Sequence, residues 1–339
     1  MSEKSTKIGV GVVGLGIGEA HARTYLSNDR CILRWVYDVD PKRAHEVARM
    51  LGSGAIALSF EQILQDASVD VVSIASYDDA HSQQVIDALA ARKHVFVEKP
   101  LCRTLDELRE IKRVWLRHRK QLKLSSNLVL QSAPLYQWLR EAIDRGDFGE
   151  IYAFDGDYLY GRIEKITHGW RGTVADYSVM LGGGIHLIDL MLWLTAARPS
   201  SVSAVGNRIC TQGTDFKYAD YVAANLQSSD GLIGRITANF GVVHRHQHVV
   251  RVFGTKKTFV YDDAGARIHV TREPEAPTLT LSLSGLPRTK GELIGPFISA
   301  IEHDEDLEKH TQQMFDSISI CLACDRALQT KSTEQVQYV

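Results

Sequence analysis

Residues 1–126 alternate short apolar runs with amphipathic stretches, and few architectures satisfy that rhythm. Residues 7–13 (Lys-Ile-Gly-Val-Gly-Val-Val) read as a strand, and a helix begins at Ala20 to Leu26. Cys31 to Tyr37 gives a second strand. Pro41 to Leu51 gives a helix with proline in its first turn, where a missing N–H is tolerated. A short strand at 55–58 leads into a helix through Leu64. Val69 to Ala75 is mostly apolar, interrupted by Asp70 and Ser73, and reads as a strand covered on both faces. A helix at 81–91, a strand ending at Lys99, a helix from Leu105 and a strand near 122–128 complete the series. This βαβ alternation predicts a doubly wound parallel sheet of the Rossmann type, an α/β fold.

The pattern changes near Gly149-Glu150-Ile151. After a helical segment at Ile185 to Leu194, alternating runs at 202–209, 221–227, 233–240, 248–253 and 258–261 predict a large, mainly antiparallel open sheet. Residues 271–292, with three prolines, read as a loop or flap, and a closing helix spans about 309–328. A chain of 339 residues exceeds the roughly 250–300 that one core serves. The expected division is a dinucleotide-binding domain at 1–126 and an α+β domain at 127–339, whose last helix packs back on the first domain.

The chemistry starts at the first turn. The literal G-x-G-x-x-G match, Gly9-Gly11-Gly14, lies inside the first strand. The turn that follows the strand and opens the helix is Gly14-Leu15-Gly16-Ile17-Gly18. Glycines there permit a tight bend and let backbone amides approach a pyrophosphate at a helix N-terminus. Asp38 ends the second strand, 22 residues after Gly16. An acid about 20 residues on from such a turn binds the adenosine ribose hydroxyls and repels a 2′-phosphate. NAD is therefore favoured, and Arg43 leaves NADP open. Lys99 ends a later strand, where open parallel sheets bind their ligands. Its ammonium can donate to a substrate oxygen or take part in proton transfer.

With Gly14-Leu-Gly16, Asp38, Ser76 to His81, Glu98-Lys99-Pro100 and Gly182-Gly-Gly-Ile-His186-Leu-Ile-Asp189 in this order, the chain resembles the Gfo/Idh/MocA oxidoreductases. The resemblance implies cofactor contacts from Gly14, Gly16, Ile17, Gly18, Asp38, Ser76, His81, Glu98 and Lys99. It also implies a second domain that covers the nicotinamide and often forms subunit interfaces, so a homodimer or homotetramer is expected. Lys99 would lie beside nicotinamide and substrate, and His186 would be the acid/base group. Many relatives carry an aspartate four residues before that histidine; this chain has Gly182. His186 then acts alone or with a partner such as Asp176, Asp189 or Tyr160.

Trp170 and Arg171 lie in an apparent loop before the glycine triplet, suited to stacking on a sugar and to holding an anion. Tyr158 and Tyr160 share one face of a strand, so Tyr160 is a substrate-side candidate. His244, His246 and His248 also share a strand face, but no acid adjoins them in sequence. A polar sheet face or subunit interface is expected rather than a metal site. Cys321-x-x-Cys324 lies in a helical pattern and reads as buried structure. A net charge of −2 gives no general attraction to nucleic acid or anionic membranes, and five scattered cysteines suit a reducing cytoplasm. The expected function is NAD(H)-dependent oxidoreduction of a secondary hydroxyl on a sugar, polyol or nucleotide sugar. The alternatives are an NAD-dependent glycosidase with transient oxidation, and a non-catalytic NAD or sugar sensor.

Overall fold

The structure, a computed structural model, describes residues 7–339. Two compact units divide the chain. One runs up to Val129 and takes in Arg288–Met314 and Val339. The other comprises Leu130–Pro287 and Phe315–Tyr338.

In the first unit the strands are β1 (Ile8–Val13), β2 (Cys31–Tyr37), β3 (Ala55–Ile56), β4 (Val71–Ile74), β5 (His94–Val97) and β6 (Leu124–Ser126). The helices between them are α1 (Gly18–Leu26), α2 (Pro41–Leu51), α3 (Phe60–Gln65), α4 (His81–Ala90) and α5 (Leu105–His118). All strands pair in parallel, in the order β3-β2-β1-β4-β5-β6. The order reverses between β1 and β4, which opens a crevice at the carboxyl ends of those strands. Local chemistry sets the helix ends. Asp40 caps α2 by accepting from the Lys42 amide (2.9 Å), Pro41 enters its first turn, and Gly52 closes it in a left-handed conformation. Thr104 and Glu107 form a reciprocal capping box on α5.

The second unit holds α6 (Pro134–Asp144), β7 (Ile151–Leu159), the short α7 (Glu164–Thr167), α8 (Ile185–Thr195), β8 (Pro199–Asn207), β9 (Tyr221–Ser228), β10 (Ile233–Asn239), β11 (Gln247–Gly254), β12 (Thr258–Asp262), β13 (Gly265–His269) and β14 (Leu279–Leu281). Later in the chain come α9 (Ile294–Glu302), which lies in the first unit, α10 (Glu308–Thr330) and the strand β15 (Glu334–Gln335). The nine-stranded sheet runs β14-β13-β12-β11-β7-β10-β9-β8-β15, antiparallel except for β7 beside β10. Helix α8 is apolar nearly all round and packs on β7 and β10, so almost every residue in it is buried.

Three details depart from the sequence reading. The segment 288–314, assigned above to the second domain, belongs to the first unit: the Asn127 amide donates to the Lys290 carbonyl (2.8 Å), and the Lys123 ammonium pairs with Asp304 (2.8 Å). Only His248 of the histidine run lies in a strand, and His244 meets an acid after all, Asp263 at 2.8 Å. Residues 271–292 are mostly irregular but contribute β14. Cys321 and Cys324 are free thiols buried within α10.

Candidate active site

In the first unit, the three glycines after β1 have separate tasks. Gly14 has φ +79° and donates its N–H to the Tyr37 carbonyl (2.8 Å). A Cβ there would lie 2.4 Å from the Ser76 nitrogen and 2.5 Å from the Ala75 carbonyl, so no side chain fits. A Cβ on Gly18 would press Val12 and Ala75 at 3.1 and 3.3 Å, which is why α1 can lie close on the sheet. A Cβ on Gly16 would meet nothing within 4 Å. Bare backbone therefore faces open space beside the N-terminus of α1, with the partly exposed Ile17 as its N-cap residue. That cradle fits the pyrophosphate of a dinucleotide, which a side chain would obstruct.

Asp38 follows β2 directly. Its carboxylate accepts from the Leu15 amide (2.6 Å) and the Asp40 amide (2.9 Å), fixing the acid against the glycine turn. Arg43 donates to the Leu15 carbonyl (3.0 Å), and its guanidinium bridges Glu19 and Glu46 at 2.7 and 2.8 Å. With Arg43 committed to Glu19 and Glu46, and the Asp38 carboxylate fixed at the turn, the arrangement disfavours a 2′-phosphate and supports NAD. Asp38→Ala is expected to weaken NADH binding about 10- to 100-fold, the worth of a charged hydrogen bond. A fluorescence titration should show NADPH affinity changing far less.

At the end of β5, Glu98 is the centre of a buried polar network. One oxygen accepts from the Asn127 amide (2.6 Å) and faces His21 Nε2 (3.2 Å), and the other accepts from the Lys99 backbone (3.3 Å). His21 is fully buried on α1, with its Nδ1 3.0 Å from the Ser73 hydroxyl. Burial would raise the Glu98 carboxyl, but His21, the Asn127 amide and the Lys99 ammonium outweigh it and hold the value at about 2. Glu98 thus anchors the backbone of Lys99. Neither His21 nor Asn127 was legible as part of this site, since they lie 77 and 29 residues from Glu98.

Ser76 donates to the Gln84 side chain (2.6 Å). His81, expected near the cofactor, is fully buried: Nδ1 donates to the Pro100 carbonyl (2.7 Å) and Nε2 faces the Ser76 carbonyl (3.1 Å). It ties the segment after β4 to the one after β5.

In the second unit, Met180–Gly184 forms a π-helical turn that runs into α8 and carries His186 in the first turn of that helix. Each glycine of the triplet lies flush against a side chain. A Cβ at Gly183 would come within 2.3 Å of the Tyr158 ring, at Gly184 within 2.8 Å of Met180, and at Gly182 within 2.4 Å of the Tyr177 hydroxyl. The missing side chains let aromatic rings approach the helix backbone. Tyr158 stacks on His186 (6.1 Å between centroids) and is met edge-on by the buried His248 (5.2 Å). Tyr160 stacks on Phe240 at 4.4 Å. Burial raises the Tyr158 phenol far above its usual range, so it stays protonated.

Asp189, a substrate candidate from sequence, is 1% exposed and accepts from Gln131 (2.8 Å) and Ser317 (3.5 Å). It secures α8 within its surroundings rather than presenting a carboxylate to solvent. Asp176, named as a partner for His186, is exposed and adopts a left-handed backbone (φ +56°). Trp170 and Arg171 sit in a short 3-10 turn with the guanidinium 4.5 Å from the indole centroid, so each is the other's stacking partner. Among the described residues, no group of three or more His, Cys, Asp or Glu side chains could hold a metal.

Residues 8–126 match the model of an oxidoreductase family with an NAD-binding Rossmann fold, and residues 136–260 match the GFO/IDH/MocA C-terminal domain. The chain is 25% identical over 261 residues to a myo-inositol 2-dehydrogenase of Thermotoga maritima, covering 75% of each chain. It is 28% identical over 261 residues to a UDP-N-acetylglucosamine 3-dehydrogenase of Acidithiobacillus ferrooxidans, covering 77% of this chain and 75% of that one. The fold matches a scyllo-inositol dehydrogenase from Lactobacillus casei, solved with NAD(H) and scyllo-inositol. The TM-score is 0.80 at 21% identity, over 98% of this chain and 99% of that one.

Proposed function

Since the chain belongs to the Gfo/Idh/MocA oxidoreductases, we propose that it oxidises or forms a secondary hydroxyl on a sugar, polyol or nucleotide sugar. The observation that carries this reading is the glycine turn locked to Asp38, with Arg43 already claimed by Glu19 and Glu46. The relatives named for inositol and nucleotide-sugar dehydrogenation support the substrate class. When bound, NAD supplies the acceptor or donor of hydride. Lys99, anchored through Glu98, donates to the reacting oxygen and stabilises its developing negative charge. His186, held between Tyr158 and His248, takes the hydroxyl proton or returns it. Trp170, Arg171 and Tyr160 contribute to substrate binding in this reading. Five free cysteines support a cytoplasmic location, and the assembly is expected to be a homodimer or homotetramer.

The test is NADH absorbance with purified protein, NAD and a panel of free sugars, inositols and nucleotide sugars. Turnover with one class, reduced at least about 10³-fold in both Lys99→Ala and His186→Ala, is the expected result. Tight NADH binding with no turnover across the panel would overturn it.

A further inference from the structure

Oxidation of a hydroxyl leaves a proton to dispose of, and in the reading above it arrives on His186, which is only 8% exposed. The Tyr158 ring stacks on that imidazole at 6.1 Å between centroids and is itself buried. Water thus has little access to the group that must shed the proton.

Two further imidazoles adjoin it. Strand β11 pairs antiparallel with β7 and sets His248 directly opposite Tyr158. Opposed residues share a sheet face, here the one covered by α8 with His186 in its first turn. His248 is 4% exposed, and its ring meets Tyr158 at 5.2 Å and His186 at 5.8 Å, edge-on in both cases. His246, two residues earlier, continues the line: its ring lies 5.1 Å from His248, and it is only partly buried. Its Nδ1 lies 3.1 Å from the Leu159 carbonyl, which it meets as donor, so Nε2 is the nitrogen that takes on a proton. A Cβ on Gly161 would meet the His244 carbonyl and the His246 backbone nitrogen (3.0 Å), so the chain leaving β7 braces this segment.

A neutral imidazole accepts a proton on one nitrogen and releases one from the other. Centroids 5.1 and 5.8 Å apart put facing ring nitrogens roughly 3–3.5 Å apart. The terminal torsion of histidine is broad enough to bring them into line. Burial keeps the Tyr158 phenol protonated, so it does not compete as a base. Arg162 and Arg171 place positive charge near that phenol, which disfavours a proton settling inside the cluster.

We infer that His248 and His246 carry the proton of the reaction between His186 and solvent, the buried imidazole as the middle step and the partly exposed one as the outlet. The inference rests on the dehydrogenase reading. In oxidation the substrate O–H bond breaks and its proton goes to His186, while the hydride leaves with NAD, the acceptor named above. His186 passes a proton to His248, His248 releases its other proton to His246, and His246 gives one to water. Reduction runs the same steps in reverse. Both residues act through His186, as positioning residues for its proton.

The experiment compares wild type, His246→Ala and His248→Gln as full-length protein with NAD and myo-inositol or UDP-N-acetylglucosamine. A pH-indicator dye in weak buffer follows the proton, and absorbance follows NADH, through the first turnover. The expected result is a kcat about tenfold or more lower in both variants, with proton appearance lagging behind NADH formation. NADH affinity should not change. Added imidazole should restore His246→Ala to within about twofold of wild type, since a small base in solution replaces the outlet, and should not restore His248→Gln. A merely structural role would slow NADH and proton alike. His246→Ala removes a partly exposed side chain, so the test stands even where His248→Gln fails to fold. Proton and NADH appearing together in His246→Ala, or a kcat there that ignores imidazole, would overturn the relay alone. A wild type that binds NADH but turns over no sugar, inositol or nucleotide sugar would overturn the dehydrogenase reading and the relay with it.

Discussion

Gly14→Ala is expected to cost about 2–5 kcal/mol of stability and to abolish NADH binding in the surviving fold. Two effects add. The backbone at Gly14 has φ +79°, which a side chain adopts only at a penalty of about 1–2 kcal/mol. The new methyl would also meet main-chain atoms of Ala75 and Ser76 at 2.4–2.5 Å. Those atoms follow the buried strand β4, so the clash cannot be relieved by rotating a side chain. Gly16→Ala is the control, because its methyl enters open space. It should change stability by less than about 1 kcal/mol while still weakening NADH binding, since the methyl stands where the pyrophosphate approaches. Urea unfolding and NADH fluorescence separate the two variants. A Gly14→Ala protein as stable as Gly16→Ala would show that the turn is not what the geometry says it is.

The second large effect is an acid-dependent loss of stability centred on Glu98. Its carboxyl, ordinarily near 4.5, is held at about 2 in the folded protein. Between those values the unfolded chain binds more protons than the folded one, so this contribution is complete above about pH 4.5. It is lost as pH falls toward 2. The gap corresponds to about 3 kcal/mol at about 1.4 kcal/mol per unit. Glu98→Gln should therefore be destabilised by about 3 kcal/mol at pH 7, and the difference from wild type should close as pH falls through that window. Denaturant unfolding at several pH values measures it. Curves that stay parallel from pH 5 to pH 2 would contradict the network of His21, Asn127 and Glu98.

The first unit was largely legible because its signals are local. A mostly apolar run such as Val69 to Ala75 announces a strand buried on both faces, and all four residues of β4 are buried. Gly14, Gly16, Gly18 and Asp38 stand at separations set by a turn and one strand-helix-strand repeat, so the expectation of a dinucleotide turn follows from spacing. The second unit was less so. β7 lies at the centre of the nine-stranded sheet, parallel to β10, and no local pattern states which strands will be neighbours. His81 and Asp189 show the same limit at the level of single residues. Their motifs mark them as chemical groups, but the structure binds His81 to the carbonyls of Ser76 and Pro100, and Asp189 to Gln131 and Ser317.

What the sequence by itself determined was periodicity, turn chemistry and the family's ordered motifs, because these depend on residues a few positions apart. The tertiary structure alone decided that 288–314 belongs with the first unit, that His21 and Asn127 meet at Glu98, and that Tyr177 fills the space left by Gly182. Those choices follow from close packing and from the need of buried polar groups for partners, and both are satisfied by whichever distant residues the folded chain brings together.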